Sequence, residues 1–171
     1  TMPRRLLVVG GMTGCGKTHL LSHFQQTIDM ERIAGHRGSA YGGMFLPAQP
    51  NQILFENQIA LALFSQNDEV FLEDESRLIG TRIIPPVLYE AMAQASMILV
   101  EEPVEVRACN IFVDYVATAR SQGHSPQEVA AQFTVNTRRI ARRLGGLQAE
   151  TVIAAIDRAF AEVGFNDADA H

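Results

Sequence analysis

The chain has 171 residues, of which 47% are hydrophobic, enough for one domain with a buried core. No apolar run approaches the roughly 18 residues that a membrane span needs, and no signal peptide is visible, so we expect no membrane association. The net charge of −5 excludes a uniformly basic nucleic-acid binder, so RNA contact requires a local basic patch. Two cysteines are too few for a disulfide framework, which predicts a cytoplasmic protein.

Strand and helix signals alternate over residues 1–102. The predicted strands are Leu6–Gly10, Thr27–Met30, Glu69–Leu72 and Ser96–Val100. The predicted helices are Gly16–Gln25, Gln52–Phe64 and Pro86–Gln94. Because this alternation is typical of a parallel sheet with crossover helices, the sequence predicts an α/β fold. We expect a sheet like that of the P-loop nucleoside triphosphatases, flanked by helices.

From Pro103 onward the pattern is wholly helical. One apolar stripe ends at Gly123, and Ser125-Pro126-Gln127-Glu128 then matches a capping box with proline at the first helical position. The helix that begins there is expected to end at Gly145-Gly146, and a last helix has an apolar face up to Val163. We therefore predict one domain over residues 1–171, with an α/β core (1–102) and an all-helical C-terminal extension (103–171).

A phosphate-binding motif follows the first predicted strand. Gly11-Met12-Thr13-Gly14-Cys15-Gly16-Lys17-Thr18 matches G-x-x-x-x-G-K-[ST], the P-loop. Lys17 is the single lysine among 14 basic residues. The preceding strand and following helix would direct backbone N–H groups and a helix N-terminus at an anion. We expect the whole motif to bind phosphate, with Lys17 reaching the outer phosphate groups and Thr18 ligating Mg2+.

Three acidic residues, Glu73-Asp74-Glu75, follow the apolar part of the third predicted strand. Ligands of a parallel sheet bind beyond the carboxyl ends of its strands, so one carboxylate could hold Mg2+ as in a Walker B motif, or act as a base. We predict Asp74 as a metal ligand, Asp74 and Glu75 as catalytic residues, and Arg77 as a phosphate ligand. The alternative is a solvated acidic turn whose charge is balanced by Arg77 and Arg82.

A long segment rich in glycine and proline covers residues 32–51. Loops of this length in compact domains are usually functional. His36 and Arg37 could clamp a second anion, because arginine binds phosphate through paired hydrogen bonds, and Arg37 is also a catalytic candidate. Alternatively, Arg37 pairs with Asp29 or Glu31 at the surface. Asp29 is itself either a substrate-binding aspartate or a helix N-cap.

Arginines are concentrated near the end of the predicted helix that starts at Ser125. Arg138, Arg139, Arg142 and Arg143 lie away from its apolar stripe, and no acidic residue interrupts them. This cluster is the best candidate for contact with an RNA backbone in an otherwise acidic chain. The alternative is a solvated helix face.

Several collinear segments resemble the P-loop domain of tRNA 2-selenouridine synthase. Besides the P-loop, they are residues 28–42, which contain His-Arg-Gly-Ser, residues 49–52 with 55–57, residues 73–80 and residues 143–146. The P-loop alone is unspecific. The His-Arg-Gly-Ser and Glu-Asp-Glu-Ser-Arg motifs together are highly specific, so the resemblance extends over most of the chain.

The resemblance implies a transferase that modifies the wobble uridine of tRNA. Enzymes of this family replace the sulfur of 2-thiouridine by selenium from selenophosphate, through an S-geranylated intermediate made from geranyl diphosphate. Gly14, Gly16, Lys17 and Thr18 would then hold the departing pyrophosphate, which makes Lys17 a catalytic candidate. Mg2+ is the candidate ion, and no organic cofactor is indicated.

Family members also carry a rhodanese-like domain before the P-loop domain. Because the chain begins at Thr1, which is not an initiator, we expect it to be part of a longer protein with that domain upstream. Two other functions stay open. One is an ATP-dependent kinase of a small metabolite, which the P-loop, Asp29, Arg77 and Arg82 would also allow. The other is a non-catalytic module that binds a nucleotide or RNA.

Overall fold

A four-stranded parallel sheet organises the first part of the chain in the computed structural model, which describes residues 5–66 and 69–162. The strands are β1 (Arg5–Gly10), β2 (Thr27–Ile28), β3 (Glu69–Glu73), β4 (Leu78–Ile79), β5 (Arg82–Ile83) and β6 (Ser96–Leu99). Four of these strands form the parallel sheet, in the order β2-β3-β1-β6. β4 and β5 form a separate antiparallel hairpin. The predicted parallel α/β sheet is confirmed.

Helices connect and follow these strands. They are α1 (Lys17–Leu21), α2 (Met30–Ala34), α3 (Gln52–Phe64), α4 (Pro86–Gln94), α5 (Val104–Phe112), α6 (Thr118–Ser121), α7 (Pro126–Arg139), α8 (Ala141–Leu144) and α9 (Gly146–Glu162). A π-helical turn, Val113–Ala117, joins α5 to α6. The bounds of α3 and α4 are those predicted. In the described residues no helix has both the length and the apolar character needed to cross a lipid bilayer.

Two predicted elements of the first part lose two or more residues in the structure, and β6 ends one residue early, at Leu99 instead of Val100. α1 ends at Leu21 instead of Gln25, because Phe24 leaves the helix and stacks on Phe71 of β3, with ring centroids 4.3 Å apart. β2 ends at Ile28 instead of Met30, because Asp29 caps the unpredicted helix α2 and accepts a hydrogen bond from the Arg32 N–H at 2.8 Å. Of the two roles left open for Asp29, the structure supports the N-cap.

The core of the first part lies between the sheet and its helices. α3 contributes Phe55 and Ile59, and α4 contributes Leu88 and Met92, in each case four residues apart on one helix face. These side chains pack with strand residues that include Val8, Ile28, Val70 and Leu72. The sheet is therefore packed against α3 and α4 through one apolar core, and its carboxyl edge stays available for side chains of the site.

The chain divides into two compact units, residues 1–112 and 113–171. α5 belongs to the first unit, beyond the boundary expected after residue 102. Within the second unit, α7 packs against α9, and the rings of Phe133 and Phe160 are 6.3 Å apart. Val163 and the polar tail after it lie outside the described residues. That the whole chain is a single domain stays a prediction.

The second unit confirms the predicted capping box and corrects one helix. Ser125 Oγ accepts from the Glu128 N–H at 3.2 Å, and the Ser125 N–H donates to Glu128 Oε2 at 2.7 Å. The helix does not continue to Gly145, because α7 ends at Arg139 and α8 begins after Ile140. The Thr137 hydroxyl donates to the Phe133 carbonyl at 2.8 Å, a competing interaction that tends to bend helices.

Candidate phosphate-binding site

The P-loop lies at the carboxyl edge of the parallel sheet, between β1 and α1. β1 is flanked by β3 on one side and β6 on the other. At its end the Gly10 carbonyl accepts a hydrogen bond from the Val100 N–H at 2.9 Å, so the loop starts at a fixed point. Inside the loop, the Cys15 N–H donates to the Met12 carbonyl at 3.1 Å and closes a turn. This edge is where parallel sheets bind their ligands.

Lys17 and Thr18 connect the end of the P-loop to its start and to strand β3. Lys17 Nζ donates to the carbonyl oxygen of Gly11 at 3.0 Å, so its ammonium group lies across the loop. Thr18 Oγ1 donates to Glu73 Oε1 at 2.7 Å. Met12 and Thr13 are exposed, whereas Cys15 is buried. The ammonium group is therefore close to the backbone N–H groups that would cradle a phosphate.

Of the predicted acidic cluster Glu73-Asp74-Glu75, Glu73 is the member that bonds to Thr18 of the P-loop, whereas Asp74 and Glu75 were the predicted site residues. It ends β3 in register with Val9, which precedes the loop by two residues, and only 2% of its surface is exposed. Asp74 is exposed, and its N–H donates to the Val9 carbonyl at 2.9 Å. The signal that could have identified Glu73 is its place as the first acidic residue after the apolar run Val70-Phe71-Leu72.

Glu73 belongs to a cluster of three carboxylates with Glu31 of α2 and Glu75. One oxygen of each lies within 4.8 Å of the others. Burial, with the charges of Glu73 and Glu75, raises the pKa of Glu31 to about 9, and burial with Glu73 raises that of Glu75 to about 7. Burial also raises the pKa of Glu73, although the Thr18 hydrogen bond and Lys17 oppose this. The cluster therefore retains a proton at neutral pH.

A proton on Glu31 is shared within the cluster. The hydrogen bond between the Glu31 and Glu75 carboxyls raises the pKa of Glu31 and opposes the rise at Glu75, so Glu31 is the donor. Lys17 acts on the Glu73 and Glu75 carboxyls and lowers the pKa of both, a role for which Arg77 and Arg82 were the predicted residues. The P-loop lysine and the acidic cluster are thus one electrostatic unit.

The long loop reaches this cluster through Gly38. Gly38 has a φ of +60, which favours glycine, and a Cβ atom there would lie 2.6 Å from Glu31 Oε1 and 2.6 Å from Glu75 Oε2, so a larger residue would displace these carboxylates. Gln49 anchors the other end of the loop. Its Nε2 donates to the Ala34 carbonyl at 2.9 Å and the Ile79 carbonyl at 3.0 Å. The His-Arg-Gly-Ser motif therefore lies directly beside the carboxylates, and the loop that contains it is anchored through Gln49.

The structure places the predicted loop cations differently. Arg37 is half-buried next to His36. Burial, together with Arg37, lowers the pKa of His36, which disfavours the charged imidazolium that an anion clamp would use. The His36 ring packs against the backbone of Gly42 and Gly80. Arg77 is exposed on the turn before β4.

The four predicted RNA-binding arginines lie in the second unit and are all exposed. Arg138 and Arg139 end α7, and Arg142 and Arg143 lie in α8, so the cluster spans two helices and not one. Arg139 Nη1 donates to Asn136 Oδ1 at 3.2 Å. The turn at Ile140 thus sets the direction of the two pairs relative to each other.

Nearly the whole chain matches a known protein family. The family model described as "tRNA 2-selenouridine synthase AAA domain" matches residues 4–171. The chain belongs to this family. The match includes the P-loop, the His-Arg-Gly-Ser loop and the carboxylate cluster, and so confirms the resemblance identified in the sequence.

Curated relatives with the name tRNA 2-selenouridine synthase support this membership. The chain is 37% identical to the one from Hydrogenovibrio crunogenus, over 88% of this chain and 43% of the relative. It is 34% identical to that from Shewanella frigidimarina, over 98% of this chain and 49% of the relative. It is 47% identical to that from Nitrosomonas eutropha, over 65% of this chain and 30% of the relative. The chain thus spans less than half the length of these relatives. No solved structure matches it significantly.

Proposed function

We propose that the chain is the diphosphate-binding domain of an enzyme that converts the wobble 2-thiouridine of tRNA to 2-selenouridine. Geranyl diphosphate and selenophosphate would be its donors, and a rhodanese domain would belong to the complete enzyme. The observation that carries the proposal is the P-loop, with Lys17 across it and Thr18 bonded to the buried Glu73, in a chain of this family. Both donors carry the phosphate groups that such a loop binds.

The P-loop would act on the leaving group of geranyl transfer. The sulfur of 2-thiouridine attacks the first carbon of the geranyl chain, a C–S bond forms, and the C–O bond to the diphosphate breaks. Pyrophosphate leaves with the electron pair, while the uridine loses the proton of its ring nitrogen. Negative charge therefore grows on the diphosphate, and the ammonium group of Lys17 and the loop N–H groups would stabilise it.

Mg2+ fits the residues beside the P-loop. Thr18 Oγ1 and the carboxylate oxygens of Glu73 are hard oxygen ligands of the kind that Mg2+ prefers, and they already meet at 2.7 Å. We propose Thr18 and Glu73 as the residues that hold the ion, with the exposed Asp74 as the alternative carboxylate. A bound Mg2+ would offset part of the charge of the leaving pyrophosphate.

Geranyl transfer is the direct test of the proposal. We expect the purified chain to form S-geranyl-2-thiouridine when it is incubated with geranyl diphosphate and tRNA that contains 2-thiouridine. Digestion of the tRNA and mass analysis of its nucleosides would detect the product, and pyrophosphate release should match it in amount. A tRNA with ordinary uridine at the wobble position is the control. Phosphoryl transfer from ATP to a small metabolite, without a tRNA product, would favour the kinase instead.

The tRNA would be held in part by the arginines of α7 and α8. Changing Arg138 and Arg142 to glutamine should weaken the binding of every tRNA alike, because phosphate contacts carry no sequence information. The slope of log affinity against log salt should become shallower by about 0.9 for each duplex phosphate that the variant no longer neutralises. Filter binding across a salt series measures both. Arg158→Gln, at an exposed arginine of α9, is the control. An unaltered slope in the double variant would mean that the cluster is a solvated surface.

A further inference from the structure

Helix α5 contacts the outer face of the P-loop. Arg107 Nε donates to the Thr13 carbonyl at 3.0 Å, and Asn110 Nδ2 donates to the Gly14 carbonyl at 2.8 Å. The backbones also touch, since a Cβ atom on Gly14 would lie 2.5 Å from the Arg107 carbonyl oxygen and 2.9 Å from Ile111 Cγ1. Residue 14 also has a φ of +82, so glycine is required here for two reasons.

These two hydrogen bonds determine the direction of two peptide groups in the loop. In a trans peptide the C=O and the following N–H point in opposite directions. With the Thr13 and Gly14 carbonyls directed at α5, the N–H groups of Gly14 and Cys15 point away from it. The Cys15 N–H meets the Met12 carbonyl at 3.1 Å. A P-loop binds phosphate through its backbone N–H groups, so the direction of these peptides bears on affinity.

We infer that Arg107 and Asn110 are positioning residues of the diphosphate site. They fix the Thr13 and Gly14 peptides, with the Gly14 N–H turned away from α5 and the Cys15 N–H on the Met12 carbonyl, so that the turn of the loop is formed before the ligand arrives. Such preorganisation strengthens binding because less conformational freedom is lost in the complex. The inference rests on the proposed diphosphate binding. It adds two residues that lie 94 and 96 positions away from the loop carbonyls they contact.

Replacing Asn110 distinguishes an effect on loop orientation from an effect on the charge of the site. Arg107 is a cation, so its removal also weakens the attraction of the site for any anion. Asn110 is neutral and half-buried, and its described contact is with a carbonyl oxygen, which cannot bind the phosphate. A change in affinity on replacing Asn110 therefore reports the orientation of the loop.

The experiment compares Asn110→Ala and Asn110→Leu with the unchanged chain. Leucine keeps the side-chain volume without the donor, and Cys109→Ala, at an exposed position of the same helix, is the control. Calorimetric titration with pyrophosphate should show binding weakened by about 2- to 13-fold in both Asn110 variants, and unchanged affinity in the control. In the ligand-free protein, hydrogen exchange followed by NMR should be faster at the Cys15 amide, and unchanged at the amides of β1.

Each outcome decides the inference. Suppose that the chain without substitutions binds pyrophosphate. The inference would then be overturned if the Asn110 variants had the same pyrophosphate affinity and the same Cys15 exchange rate as that chain. Equally faster exchange at β1 and Cys15 would also overturn it, because Asn110 would then serve general stability. If the chain without substitutions did not bind pyrophosphate, the proposed function would be overturned. The exchange rate of the Cys15 amide would still show whether α5 orders the loop. Arg107→Lys, which keeps the charge but moves the donor, should weaken binding as well.

Discussion

Replacing Lys17 with alanine is expected to weaken pyrophosphate binding by roughly 10- to 150-fold. The substitution removes a charge-assisted contact with the outer phosphate, typically about 1.5–3 kcal/mol. Lys17 Nζ lies 3.0 Å from the Gly11 carbonyl, so its charge is across the loop. Calorimetric titration with pyrophosphate and with geranyl diphosphate measures the effect. Both ligands should lose affinity by a similar factor, because they share the diphosphate.

Arg5→Ala is the matched control for net charge. Arg5 is at the opposite end of β1 from the P-loop, where it pairs with Glu69 at 3.2 Å. Its loss removes one positive charge from the same unit and should change pyrophosphate affinity little, because salt screens charges more than about 10 Å apart. Equal affinities of the unchanged chain and Lys17→Ala would mean that the loop is not the diphosphate site.

Replacing Glu31 with glutamine is expected to stabilise the ligand-free chain at neutral and alkaline pH. Burial raises the pKa of Glu31 from 4.5 to about 9, so the folded state binds more protons than the unfolded state between these pH values. The contribution of Glu31 to the stability of the chain therefore falls as pH rises from 4.5 to about 9. Glutamine mimics the protonated carboxyl, can still donate to Glu75, and removes this pH-dependent cost.

The gain should be about 1–3 kcal/mol near pH 8 and smaller near pH 5, less than full linkage implies because the carboxyl keeps some solvent access. Urea unfolding at a series of pH values measures it. Glu105→Gln, at an exposed position of α5, should change stability by less than about 0.5 kcal/mol throughout. A destabilised Glu31→Gln variant near pH 8 would show that Glu31 is charged in the folded chain and is held by a cation.

Local sequence signals predicted the elements that depend on neighbours along the chain. The capping box at Ser125 formed as expected, because its two hydrogen bonds join residues three positions apart. α3 and α4 have their predicted bounds, since each carries apolar residues at helical spacing between clear ends. Helix α2, by contrast, was missed. Its five residues are too few for a periodic pattern, and it exists because Asp29 caps it and its buried residues Met30 and Ala34 join the core.

By itself the sequence determined the P-loop, the four strands of the parallel sheet, the helices α3 and α4, and the family, because each depends on a continuous motif or on periodicity. Only the tertiary structure decided which carboxylate meets the loop. Thr18 and Glu73 are 55 positions apart and meet because β3 pairs with β1 in a register that places Glu73 beside Val9. The same holds for Asn110, whose contact with Gly14 requires α5 to pack on the loop. Both contacts join residues far apart in the sequence, so the sequence indicated an acidic group near the loop, whereas strand pairing and helix packing decided which side chains meet it.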